Sequence, residues 1–83
     1  MKLSEDLLKK LAKHYEPSSM VDLTFKGNDV SFKTDEVGNP VLLFIGKRTD
    51  DGNIRGERYA RRLKFADDGT LVKDHWELKG KAT

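Results

Sequence analysis

All five arginines of this 83-residue chain fall between positions 48 and 62. Residues 47–64 hold seven basic groups (Lys47, Arg48, Arg55, Arg58, Arg61, Arg62 and Lys64) against three acids, Asp50, Asp51 and Glu57. The window therefore carries +4 while the rest of the chain carries −2. A guanidinium is a planar fork of donors matched to phosphate and carboxylate, and several on one ribbon focus a positive potential. The single tryptophan, Trp76, and Tyr59 could add flat surfaces on which unstacked bases rest. Ordinary structural uses compete with each of these. Strand alternation sends Arg55 and Arg61 to one face and Arg58 and Arg62 to the other. Charge along a strand also guards a sheet edge. A lone tryptophan among apolar neighbours fits a core, with Arg61 resting on its ring by cation–π contact.

Reactive chemistry has less to stand on. There is no cysteine, which removes disulfides, thiolate metal sites and cysteine nucleophiles. Two histidines, His14 and His75, do not make a metal set or an acid–base pair, and the neighbouring strand residues Asp74 and His75 face opposite ways. Asp50-Asp51-Gly52-Asn53 and Asp67-Asp68-Gly69 resemble pieces of a calcium loop but lack its twelve-residue ligand spacing, so they read as turns. The glycines at 52 and 56 lack the spacing and the Lys-Ser/Thr ending of a phosphate loop. No cofactor, no metal and no catalytic residue is expected, and a small enzyme is the weakest of the readings.

The elements that must hold the basic stretch can be followed from the N-terminus. Leu3, Leu7, Leu8, Leu11 and Tyr15 recur at helical spacing, Ser4 suits the N-cap, and Pro17 predicts a helix end near Tyr15. Residues 20–34 read as a hairpin with Gly27-Asn28 as its loop, pairing Phe25 with Val30, Leu23 with Phe32, Lys26 with Asp29 and Asp22 with Lys33. Pro40 opens a strand over Val41–Arg48 whose apolar residues alternate onto both faces, so it is expected to be central or covered on each side, with the helix as the cover for one face. A turn through Thr49–Asn53 leads to a last hairpin around Asp68-Gly69. That register places Phe65 opposite Val72, Leu63 opposite Asp74, Arg61 opposite Trp76 and Tyr59 opposite Leu78. Its far end is expected to overhang the core or to contain a bulge, for which Gly56 is the candidate.

The expected fold is α+β: one domain over residues 1–83, an N-terminal amphipathic helix and a five-stranded, mainly antiparallel curved meander whose closure stays open. The expected function is a small non-enzymatic binding module making weak, sequence-independent contact with a polyanion or nucleic acid through its basic hairpin. Arg48, Arg55, Arg58, Arg61, Arg62 and Lys64 are the candidate contacts, joined by Tyr59 and Trp76. The alternative is an interaction domain that meets an acidic protein or pairs through an edge strand. The longest apolar run, Val41–Ile45, is five residues, so no membrane partner is expected. A cytoplasmic monomer is the default, with a homodimer left open.

Overall fold

Ser4 starts the one helix among the described residues, its side-chain oxygen accepting from the Leu7 amide at 3.2 Å. The computed structural model describes residues 3–81. In chain order they form α1 (Glu5–Leu11), β1 (Met20–Phe25), β2 (Asn28–Thr34), β3 (Pro40–Arg48), β4 (Ile54–Phe65) and β5 (Leu71–Lys81). The strands make one antiparallel sheet in the order β1-β2-β3-β4-β5, open at both edges. This is the expected helix and five-stranded meander, with closure into a barrel now excluded.

The helix is shorter than its leucine spacing implies, because its C-terminal end is claimed by other partners. The Leu11 carbonyl accepts from Arg61 at 3.1 Å and the Lys10 carbonyl from the Tyr15 hydroxyl at 2.6 Å. The Tyr15 amide donates instead to the Gly38 carbonyl at 2.9 Å, pulling residues 12–15 out of helical geometry toward the β2–β3 turn. Gly38 permits that approach, since a Cβ there would lie 2.2 Å from the Tyr15 oxygen. Thr34 completes the clamp: its hydroxyl donates to the Glu16 carbonyl at 2.6 Å and accepts from the Ser19 amide at 2.9 Å.

α1 lies on one face of the sheet. Leu7 and Leu11 pack there with Val30, Phe32, Leu43, Ile45 and Tyr59, and Tyr15 meets Phe32 edge to face at 4.8 Å. Val21, Leu23, Phe25 and Trp76 surround this cluster. β3 is central in the sheet as expected, with Leu43 and Ile45 under the helix.

Two registers differ from expectation. In the first hairpin Lys26-Gly27, not Gly27-Asn28, forms the turn, with φ of 48° and 81°. Two consecutive positive φ values match the twist of the flanking strands, and Gly27 takes its value without strain. Leu23 therefore faces Val30, and Asp22 faces Ser31. The slip is two residues, so every side chain keeps its face and the apolar match survives. The anticipated Lys26–Asp29 and Asp22–Lys33 pairs are not formed; Asp22 accepts from Ser31 at 2.7 Å and from Arg48 at 3.2 Å.

In the second hairpin Leu63–Asp74, Arg61–Trp76 and Tyr59–Leu78 pair as expected, but Phe65 meets Leu71. Val72 and Lys79 are the extra residues at two shifts of register on β5. Gly56 is not a bulge. It pairs directly with Gly46, and a Cβ on Gly56 would sit 2.0 Å from the Ile45 oxygen, so the two glycines let β3 and β4 close. The end of the β4–β5 hairpin does project past the core. Phe65, Leu71 and Val72 remain 53%, 48% and 61% exposed, and the molecule measures 45 × 25 × 21 Å.

Candidate functional site

Pairing parity sorts the basic residues by face. Arg48 pairs with Ile54, Phe44 with Arg58, Arg62 with His75 and Lys64 with Lys73. All of these lie on the face away from α1, because Leu43, Ile45 and Tyr59 alternate with them onto the helix side. Of the candidate residues, the helix-free face therefore gathers Arg48, Arg58, Arg62 and Lys64. It also carries Lys33, opposite Leu42, and Lys73. Neither lysine was among the sequence candidates, although the hairpin register already set Lys73 against Lys64.

These cations differ in how far they are committed. Arg48 donates to the Gly52 carbonyl at 2.6 Å and to Asp22 at 3.2 Å, folding over the β3–β4 turn. Arg62 Nε stands 3.2 Å from Glu77, which also takes Lys79 at 2.8 Å. The Lys79 hydrogen bond, aided by the charge of Arg62, holds the Glu77 carboxyl below its ordinary range. Among the described residues Arg58, Lys64 and Lys73 make no ion pair, and all three are exposed. Beside β3 the same face dips into a shallow depression floored by Leu42, Phe44 and Ile54, with Lys33 and Arg48 at its rim.

The helix side carries the remaining candidates. Arg55 lies there, exposed, beside Asp50 and Asp51 of the β3–β4 turn. Tyr59 is buried in the core, and burial, with Glu57 nearby, pushes its hydroxyl above the ordinary value. Trp76 is half-buried against the core, away from the basic face, so neither aromatic shares a surface with Arg58, Arg62 and Lys64.

Arg61 has a structural role in full. Its Nε and Nη2 grip Asp74 Oδ1 and Oδ2 at 2.6 and 2.7 Å, and Nη1 donates to the Leu11 and Pro40 carbonyls, both at 3.1 Å. Its guanidinium carbon lies 5.6 Å from the centre of the Trp76 ring, and only 6% of the side chain is exposed. The Arg61 hydrogen bonds hold the Asp74 carboxyl below its usual range. One side chain thus joins the end of α1, the start of β3 and the middle of β5. Apolar surface on this side, from Leu3, Leu8 and Ala12 of the helix segment to Trp76 and Leu78 of β5, lines an open groove beside that junction.

The two aspartate turns are held by their own side chains. Asp51 accepts from the Thr49 hydroxyl and from the Asn53 amide at 3.2 Å, and Asp68 from the Thr70 amide at 2.9 Å. Among the described residues no group of three or more His, Asp or Glu side chains could hold a metal ion, and no helix is long and apolar enough to cross a membrane. No protein-family model matches the chain, and comparison with curated proteins and with solved structures found no match.

Proposed function

We propose that the protein is a non-enzymatic binding module whose helix-free β4–β5 surface contacts nucleic acid through its phosphates. The observation that supports this reading is the Lys64–Lys73 pair, two like charges directly opposite one another, with Arg62 next along the same face of β4 and Arg58 farther along it. Such a pair costs stability in an antiparallel sheet, and an anion laid across it offsets the repulsion. Arg58, Lys64 and Lys73 supply the charge, while Tyr59, Trp76 and Arg61, turned to the other side, contribute none of it. Contact with phosphates alone carries no base sequence, so affinity is weak and sequence-independent.

Fluorescence anisotropy with labelled single-stranded and duplex oligonucleotides tests the proposal. With three phosphate contacts, duplex affinity falls roughly fortyfold between about 50 and 200 mM salt. Replacing Arg58, Lys64 and Lys73 together by alanine removes most of that salt dependence. Absence of binding to either oligonucleotide at the lower salt defeats the reading. Binding to polyglutamate but not to oligonucleotides would transfer the same surface to an acidic protein partner.

A further inference from the structure

β5 is an edge strand of eleven residues, and three of the large apolar side chains left exposed lie on it: Leu71, Val72 and Leu78, at 48%, 61% and 49%. Lysines at 73, 79 and 81 guard it against indiscriminate pairing. The order of its charges, however, is complementary to itself. We infer that β5 pairs antiparallel with β5 of a second copy of this chain, about a two-fold axis through His75, to make a continuous ten-stranded sheet.

The charges along β5 select one register. A two-fold axis perpendicular to the sheet sets one residue against its own copy and pairs residues equally spaced on either side. The shifts of register at Val72 and Lys79 leave Lys73–Leu78 as the regular stretch. A centre on Lys73 opposes two lysines, and a centre on Asp74 opposes two aspartates. A centre on Trp76 sets Lys73 against Lys79, and a centre on Glu77 opposes two glutamates and sets Lys73 against Lys81. A centre on Leu78 opposes no like charges but places every partner at or beyond the irregular Lys79, outside the regular stretch. Of the remaining centres, that on His75 alone is free of like fixed charges. It pairs Lys73 with Glu77 twice, Asp74 with Trp76 twice, and Val72 with Leu78 twice. Lys73, which faces Lys64 within its own hairpin, gains a carboxylate on its other side. Val72 and Leu78 gain an apolar neighbour. Both helices lie on one side of the joined sheet and both basic faces on the other, so the pairing is compatible with the proposed function and does not depend on it.

Sedimentation velocity of the full chain, without oligonucleotide, up to about 1 mM protein detects the dimer. Lys73→Glu alone, or Glu77→Lys alone, sets like charges in contact twice and weakens association about tenfold or more. The double exchange restores association to within about threefold. Circular dichroism confirms that each variant is folded. The chain has no cysteine, so His75→Cys gives a single thiol on the axis, where the paired Cα atoms fall within disulfide reach. This variant oxidises to a covalent dimer, while Thr24→Cys on the opposite edge strand stays monomeric. A monomer at every concentration overturns the inference. So does a dimer that cross-links through position 24, or one that the double exchange fails to restore.

Discussion

Replacing Arg61 by alanine should cost far more than replacing any other arginine. The substitution deletes two hydrogen bonds to Asp74 and two to the Leu11 and Pro40 carbonyls, and it leaves a carboxylate facing a half-apolar groove. Breaking a buried pair by removing one partner costs ~3–5 kcal/mol. Asp74 keeps about a third of its side chain in water, which selects the lower end, about 3 kcal/mol. A domain of 83 residues has roughly 4–12 kcal/mol in total, so the variant loses a quarter or more of its stability. At this size the melting temperature drops by roughly 12–24 °C. Urea denaturation followed by circular dichroism, with Trp76 fluorescence as a second probe, measures the difference. Arg58→Ala, on the exposed face, should stay within about 0.5 kcal/mol of the parent. Arg61→Lys keeps the charge but not the fork and should fall between the two. Combined with Asp74→Ala, the Arg61→Ala change should show a coupling above about 1 kcal/mol. If Arg61→Ala lies within about 1 kcal/mol of Arg58→Ala, the clasp is not holding the fold.

Four further outcomes follow from the same geometry. Asp74 titrates below its ordinary value, so its contribution is fully present above the unfolded value and is lost as pH falls through the folded one. The stability gap between the parent and Asp74→Asn should therefore hold from neutral pH to about 5 and narrow below about 4, as measured by urea melts at each pH. Gly46→Ala or Gly56→Ala drives a Cβ to 1.8 or 2.0 Å from a backbone oxygen of the neighbouring strand. Either change should cost more than about 2 kcal/mol and shift the β3–β4 amide resonances. Lys26→Asn, at the first position of a turn with φ of 48°, should stabilise the domain by a few tenths of a kcal/mol, read as a higher urea midpoint. Phe32→Ala should cost ~3–5 kcal/mol in the fully buried core, whereas Phe65→Ala on the overhang should cost less than about 1 kcal/mol in the same assay.

Most of the architecture was legible because several levels of the sequence agreed. Leucine spacing marked α1, Pro40 and the apolar run marked β3, and alternation around Asp68-Gly69 placed three of four cross-strand pairs. What escaped was set by partners distant in the chain. Nothing local shortens the helix; the Gly38 carbonyl and the Arg61 guanidinium do that after the sheet has formed. The Lys26-Gly27 turn was hidden because a lysine with positive φ is uncommon, and a slip of two residues preserves every face. The surface divided along the same line. Alternation correctly split the arginines between faces, yet composition alone could not separate Arg61, consumed by the fold, from Arg58, which faces solvent. Lys73 was overlooked because it lies outside the arginine-rich window, although the register placed it opposite Lys64.

Strand order that repeats chain order also bears on how the polypeptide is made. Each hairpin can close as soon as its second arm leaves the ribosome, since every strand's partner precedes it directly in the sequence. The helix, made before the sheet, has no such neighbour. Leu7 and Leu11 await Leu43 and Tyr59, and the Leu11 carbonyl awaits a guanidinium fifty residues downstream. Val30, Phe32 and Leu43 can cover part of its apolar stripe earlier, and the rest stays open to chaperones or other nascent chains until Tyr59 and Trp76 have emerged. The element made before the sheet is sealed only after it.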